Sequence, residues 1–285
     1  MSSIISPYDF TEVTRQLRSF FDDRGFQEVH TQNRLSILAA CEDPTTVATY
    51  NYSNQIWPLP QTGQMWLEYE LLTRPELPGC FCLSTSYRQE QNPTEGRHEL
   101  IFPMFEFEAP GTFDDLIKIE EDLCCYLGFR PCIYPIKKYT EWQKEFNTTD
   151  ELNHEHEELI SESLAEGQTH CSGVGFITHF PYSTSPFWNM KKEGDFANKC
   201  DVIIGGMETI GSAERSADTV EMREQFHTIS DGEYASLLYE LFGEERVEKE
   251  LEEFLSYDFF PRFGGGIGIT RLISAMKSVN QIVKE

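Results

Sequence analysis

The sequence predicts an α+β fold, with a mostly antiparallel sheet and helices packed on it. Two observations carry this. Strand-like runs outnumber single strand-helix-strand units and lie close enough to pair as hairpins. Stretches with apolar residues at helical spacing separate groups of strands instead of alternating with each one.

The elements follow in order. In "YDFTEVTRQLRSFFDDRGF", Phe10, Val13, Leu17 and Phe20 recur at helical spacing and Gly25 is a stop. "FQEVH" is extended. "GCFCLSTSYR" (79–88) and "IFPMFEFEA" (101–109) form a hairpin joined by the long polar connection "QEQNPTEGRHEL", and connections of that length are usually functional. "TFDDLIKIEEDLCCYLG" (112–128) is a helix ending at Gly128, opening a mainly helical stretch over about 111–170. "GVGFITHF" and "CDVIIGGMETIGS" are strands, and "EYASLLYELFGEERVEKELEEFL" (233–255) is an acidic helix solvated along one face. "FGGGIGITRLISAM" is a glycine-rich turn running into an amphipathic helix.

Composition narrows the function. At 285 residues the chain is long enough for a well-buried core, as one large domain or two small ones. Lys+Arg of 23 against Asp+Glu of 48 leaves a net charge of -25, which repels phosphate backbones unless a local patch is basic. No apolar run approaches a membrane span, and "MSSIISPYDF" lacks the basic and apolar regions of a signal peptide. The eight cysteines lack zinc spacing and read as reduced, mostly buried thiols, which suits the cytoplasm.

Three segments combine residues suited to chemistry. Along the hairpin, Phe102, Met104, Glu106 and Glu108 share one strand parity, and Arg88 and Glu90 share a face on the outgoing strand. In "GGGIGITR", Arg271 sits in the first turn of a helix, where the macrodipole disfavours a cation unless an anion lies opposite. In "CDVIIGGMETIGSAERSAD", Glu208, Gly211, Ser212 and Arg215 follow a short apolar strand. His154 and His156 lack a third ligand and read as surface groups. His179 and Trp188 either line the pocket or pack the sheet, and His227 has no assigned role.

These segments carry a family resemblance. "SYRQE" with "GRHELIFPMFEFE" resembles motif 2 of class II aminoacyl-tRNA synthetases, "GGGIGITRL" resembles motif 3, and "RSFFDDRGFQEVHTQ" is similar to motif 1. "ACEDP", "QTGQMWLE", "ITHFPYSTSPFWNMK" and "METIGSAER" are similar to segments of the aspartyl, asparaginyl and lysyl subgroup, in family order over roughly residues 10–280. The resemblance implies a single catalytic domain over 1–285, built as a class II synthetase-like antiparallel sheet flanked by helices. It also implies ATP-dependent formation of an acyl-adenylate.

By the same resemblance, Arg88 holds the α-phosphate and the reacting carboxylate, and Arg271 and His98 hold the outer phosphates. Phe102 stacks on adenine, Glu90, Arg97 and Gly268 belong to the ATP site, and Glu208 and Glu106 hold Mg²⁺. Glu42 and Gln64 grip the α-amino group, with Gly211 beside them, and Arg215 meets the substrate's side-chain carboxylate or amide. Motif 1's proline is replaced by Gln32, although the family implies a homodimer. Motif 2's glutamate is Ile101, and the lysine of aspartyl enzymes is missing from "QTGQMWLE".

No barrel module precedes the core, and the charge is unfavourable for RNA, so tRNA is not expected as a partner. The expected activity is that of an asparagine synthetase: adenylation of aspartate, then attack by ammonia with release of AMP and pyrophosphate. The alternatives are a ligase that transfers an aspartyl or asparaginyl group to tRNA or another amine, and a non-catalytic paralogue that senses an amino acid or binds a partner.

Overall fold

The computed structural model describes residues 5–31, 35–37, 46–90, 93, 99–130, 134–166, 173–184 and 187–278. The chain opens with helix α1 (Pro7–Asp22), whose first position suits proline because the missing N–H has no intrahelical partner there. Val13, Leu17, Phe20 and Phe21 form its buried stripe, and Gly25 takes φ +79° in the turn that leads into β1 (Gln27–Glu28). After a small hairpin, β2 (Thr49–Tyr52) and β3 (Gln55–Pro58), helix α2 (Gln64–Thr73) leads to the long hairpin β4 (Cys80–Tyr87) and β5 (Ile101–Pro110).

Helix α3 (Phe113–Tyr126) begins at a capping box. The Thr112 amide donates to Asp115 Oδ2 at 2.8 Å, satisfying one of the orphan donors of the first turn. The chain continues through β6 (Ile136–Lys138), α4 (Tyr139–Glu145), α5 (His154–Glu166), β7 (Val174–Pro181), β8 (Lys192–Glu193), β9 (Phe196–Ile204) and β10 (Met207–Arg215). It ends with α6 (Thr219–Thr228), α7 (Glu233–Phe242), α8 (Glu244–Leu255), β11 (Arg262–Gly268) and α9 (Ile269–Ser278).

Among the described residues, eight strands run in the order β1-β4-β5-β11-β10-β9-β7-β6, with β8 added against β9. All neighbouring pairs are antiparallel except β1 with β4 and β6 with β7. Strand parity separates the two faces. Phe105 and Phe107 of β5, Phe263 and Ile267 of β11, Ile210 of β10 and Val202 of β9 join Phe21, Leu116 and Leu272 in the main core under α1, α3 and α9. Phe105 lies 5.1 Å from Phe81 and 5.3 Å from Phe21, ring to ring. The opposite face carries α2 and a second core around Trp188, Phe226 and Phe254. Trp188 is therefore a core residue, fully buried and edge-on to Phe226.

Three elements differ from the sequence reading. "CDVIIGGMETIGS" is a hairpin, because Gly205 and Gly206 take φ +62° and +83° and close a tight turn between β9 and β10. The acidic helix of 233–255 is two helices, broken at Gly243 with φ +88°. The glycine run is not a turn but a central strand, β11, paired on both sides, and none of its glycines takes positive φ. Cys80, Cys82, Cys124 and Cys200 are free and buried, as expected, whereas Cys125 is disulfide-bonded. Gln32, Cys41, Cys132 and Cys171 lie outside the described residues. No helix among the described residues is long and apolar enough to cross a membrane.

One buried acid lies away from the open face. Glu120 of α3 points at the underside of the sheet beside Ser212 and Cys200, and burial pushes its carboxyl up to about 8 from an ordinary 4.5. With the folded value above the unfolded one, its contribution is complete below pH 4.5 and is lost as pH rises through about 8. Glu120→Gln is expected to stabilise the fold by about 2–4 kcal/mol at roughly pH 8.5 and by much less at about pH 5. Urea unfolding at both values checks this; a gain of equal size at both would contradict it.

Candidate active site on the open face of the sheet

Register places the candidate residues in rows across the open face. Glu108 pairs with Gly264, Gly264 with Ala213 and Ala213 with Lys199; in the next row Glu106, Gly266, Gly211 and Asp201 follow one another. The small residues at the centre of both rows leave space that long side chains from the flanks occupy. A Cβ on Gly264 would sit 2.0 Å from the Glu108 carboxyl carbon, and one on Gly211 would sit 2.6 Å from Glu208 Oε1. The glycines thus serve close approach. A bulge between Glu208 and Ile210 turns Glu208 onto the face of Gly211 and Arg215, which uninterrupted alternation would have denied it.

One flank is cationic and partly open. Arg271, in the first turn of α9, donates from Nη1 to the Glu208 carbonyl oxygen at 2.6 Å and lies 4.0 Å from Glu208 Oε2. The Glu208 amide donates to Glu157 Oε2 at 3.0 Å, which ties the β10 start to α5. Asp201 Oδ1 lies 3.8 Å from the same virtual Cβ that meets Glu208, so these two carboxylates converge over Gly211. Gly268 ends β11 directly before α9, where a side chain would touch Arg271. Arg88, exposed just past β4, holds its amide on Leu100 O at 2.8 Å and its guanidinium 5.5 Å from the centre of the Phe102 ring. Glu90 is half-buried two residues on. Thr270 donates to Glu99 Oε2 at 3.0 Å, tying α9 to the far end of the long connection.

The other flank is a buried charge cluster that sequence reasoning largely missed. Arg262, fully buried, donates from Nε to Glu68 Oε2 at 3.0 Å and from Nη1 to Ser216 O at 2.9 Å. Asn189 donates to the other Glu68 oxygen at 2.6 Å. Arg215, also buried, donates from Nε to Glu108 Oε1 at 3.0 Å and from Nη2 to Glu108 and Gln64, with Glu68 Oε1 at 4.0 Å. Burial pushes the Glu108 carboxyl up to about 7 against the pull of Arg215. The neighbouring Glu108 and Glu68 carboxylates outweigh burial at Arg215 and hold its guanidinium above the ordinary arginine range. Arg262 was legible in principle, since it shares parity with Gly264 and Gly266, but a polar residue beside a glycine run carries no signal of its partner.

Several expectations are corrected or relocated. Glu106 does not fit a metal site. It is fully buried and accepts from the Gly63 amide at 2.7 Å and from the Thr62 and Ser84 hydroxyls, so it anchors the N-terminus of α2. Asp201, not Glu106, is the carboxylate beside Glu208; Asp201 is buried and pairs with Lys199 at 3.4 Å while Glu208 is partly exposed, and two adjacent carboxylates suit Mg²⁺ shared with phosphates. Among the described residues no group of three or more His, Cys, Asp or Glu gathers as a metal site. His179 packs edge-on against Phe113 at 5.0 Å, and His227 pairs with Glu248 at 2.9 Å. Glu42, Arg97 and His98 lie outside the described residues.

An antiparallel sheet with a catalytic face of this kind defines a class II synthetase core. Residues 9–284 match the family model described as tRNA synthetases class II (D, K and N), and the chain belongs to that family. It is 27% identical to the mouse cytoplasmic asparagine--tRNA ligase over 251 residues, covering 75% of this chain and 43% of the relative. The chain thus spans less than half the length of that relative. In fold it is similar to asparaginyl-tRNA synthetase from Pyrococcus horikoshii complexed with asparaginyl-adenylate, with TM-score 0.75 and 20% identity over 96% of this chain and 66% of that one. The Entamoeba histolytica enzyme with the same adenylate gives TM-score 0.75 and 20% identity over 95% and 63%.

Two expectations fall with these findings. Relatives named for joining asparagine to tRNA overturn both the ammonia-using asparagine synthetase and the exclusion of tRNA as a partner. The charge argument failed for a physical reason. At physiological ionic strength fields are screened beyond ~8 Å, so a net charge spread over a whole surface says little about one local contact.

The cluster makes a strong prediction for stability. Arg262→Met leaves Glu68 buried with Asn189 as its hydrogen-bond partner and only the longer 4.0 Å ion pair to Arg215, and is expected to cost about 3–5 kcal/mol in urea unfolding. Adding Glu68→Leu should recover most of that loss. Additive losses in the double variant would contradict the pairing.

Proposed function

We propose that this chain activates asparagine with ATP as asparaginyl-adenylate and passes the asparaginyl group to tRNA. The reading is carried by one observation: the open sheet face has Arg88, Arg271 and Glu208 at its accessible flank, with Asp201 buried beside Glu208, and the Arg215–Gln64 carboxamide contact at its buried flank. An amino acid lying between them has its side chain at the buried end and its carboxylate toward the cations. Family membership and the asparagine--tRNA ligases among its relatives support the same substrate and acceptor.

In the first step an α-carboxylate oxygen of asparagine attacks the α-phosphorus of ATP, and the bond to pyrophosphate breaks. Negative charge grows on the phosphate oxygens, where fixed cations stabilise it. Arg88 is placed to meet the α-phosphate and Phe102 the adenine ring, with Arg271 toward the outer phosphates. Gln64 holds the α-amino group. Glu208 and Asp201 would hold Mg²⁺, which neutralises phosphate charge. In the second step a tRNA hydroxyl attacks the carbonyl carbon and AMP leaves. The family implies a homodimer with this site complete in one catalytic domain, and the cytoplasmic names among the relatives support a cytoplasmic workplace.

Asparagine-dependent exchange of pyrophosphate into ATP is the expected outcome, followed by charging of total tRNA with labelled asparagine. Arg88→Ala and Arg271→Ala should each lower exchange by about 100-fold or more while thermal melts stay cooperative. Absence of exchange with asparagine would overturn the reading, and exchange without tRNA charging would overturn its second step.

A further inference from the structure

Glu208 faces the site only because its strand is interrupted. Even-numbered residues of β10, Ile210 and Ser212 among them, point to the underside of the sheet, and strict alternation would send Glu208 with them. The bulge between Glu208 and Ile210, with Thr209 as its extra residue, prevents this. A bulge also disrupts the ladder and leaves neighbouring backbone groups in need of other partners. Here the partners are side chains from two helices. The Glu208 amide donates to Glu157 Oε2 of α5 at 3.0 Å, and the Glu208 carbonyl accepts from Arg271 Nη1 of α9 at 2.6 Å.

The sequence of α5 suits it to this contact. Glu157, Ile160 and Ser161 share one face at i, i+3 and i+4 spacing. Ile160 is fully buried with Ile177, Phe180 and Ile203. Ser161 accepts from the Gly206 amide at 2.7 Å and donates to Gly173 O at 3.0 Å. A Cβ on Gly206 would lie 3.5 Å from Glu158 Cα, so helix and turn are in contact. The amides of Gly206 and Glu208 are thus both taken by side chains one helical turn apart on α5.

We propose that Glu157 is a positioning residue for metal binding: by holding the Glu208 amide it fixes the bulge and keeps the Glu208 carboxylate on the open face beside Asp201, where the two can take Mg²⁺ together with ATP. The inference rests on the assignment of Glu208 and Asp201 to Mg²⁺ and adds a residue outside that pair on which the assignment depends. Arg271 holds the same peptide from the other side, but it is also the cation placed toward the outer phosphates, so ATP competes for it. A carboxylate has no attraction for phosphate, and the Glu157 contact persists when ATP binds. The contact is made to the main chain and needs an acceptor at that reach, not a charge. Glu157→Gln keeps such an acceptor. Glu157→Ala removes it, and Glu157→Asp keeps the charge but falls short of the amide.

The test uses the full chain. Without ligands, hydrogen exchange read by mass spectrometry over residues 205–210 is expected to speed up about fivefold or more in Glu157→Ala and to stay unchanged in Glu157→Gln. Addition of Mn²⁺ to the chain with ATP, followed by electron paramagnetic resonance, should show binding about tenfold weaker in Glu157→Ala and within about threefold of the unaltered chain in Glu157→Gln. In asparagine-dependent pyrophosphate exchange, the Mg²⁺ concentration giving half the maximal rate should rise about tenfold in Glu157→Ala, with kcat at saturating Mg²⁺ within a few-fold. Glu157→Asp should behave like Glu157→Ala and carries the same comparison if the alanine variant fails to fold. Ser161→Ala loosens the same helix without touching Glu208 and should leave the metal dependence unchanged. Metal binding unaffected by Glu157→Ala and Glu157→Asp, an equal loss in Glu157→Gln, or an equal loss in Ser161→Ala each overturns the inference and leaves the functional reading standing. Absence of asparagine-dependent exchange in the unaltered chain overturns the functional reading alone, since the first two measurements need no amino acid. No Mn²⁺ binding by the unaltered chain with ATP overturns both.

Discussion

Two guanidinium groups and their carboxylate partners meet under α2, on the face of the sheet opposite the main core, and the rest of the site depends on their being satisfied. Arg262 and Arg215 come from neighbouring strands, Glu108 from the next strand over, and Glu68 from the helix laid across them. Taking such charges out of water is costly, and only close pairing offsets the loss. The pairing fixes where α2 sits, and with it Gln64. The same helix is held at its N-terminus, about one turn before Glu68, by Glu106, whose carboxylate takes the Gly63 amide. Two glutamates two residues apart on β5 therefore set both the position of a helix and the polarity of the pocket beneath it.

The glycine strand makes this arrangement possible. Any side chain at position 264 would collide with the Glu108 carboxylate, and any at 211 with that of Glu208. Both acids lean over a strip of backbone that has been cleared for them. Glycine costs entropy in a strand, and the loss is offset here by pairing β11 on both edges in the middle of the sheet. The two flanks of the strip differ in solvent. Arg271 and Glu208 are each about one-third exposed, whereas Arg215 and Glu108 are buried. Polyphosphate chemistry at a screened, accessible rim and side-chain selection in a dry interior suit that division.

The -25 charge and the site are compatible because they act over different distances. The acidic surplus is spread over solvated surfaces such as α8, while the arginines of the site are held within a few ångströms of defined partners. Salt screens the first and hardly touches the second. Whole-chain charge is therefore a poor guide to any one local contact, and Arg215, which the resemblance has meeting a side-chain carboxylate or amide, is already paired with the buried Glu108.

Much of this protein was legible from its residues alone, because period and punctuation are local. Helical spacing around Phe10 to Phe20, alternation from Phe102 to Glu108 and the motifs around Arg88 and Arg271 led to the α+β sheet and the family without reference to any contact. What sequence could not decide was which side chains share a partner across the sheet. Glu106 and Glu108 have the same parity and the same chemistry, and alternation cannot tell the anchor of α2 from the counter-ion of Arg215. The bulge that turns Glu208 inward, the convergence of Asp201 upon it, and the burial that lifts the Glu108 carboxyl each depend on strands separated by many residues in the chain. Register and burial are properties of the assembled sheet, and only the tertiary structure decided them.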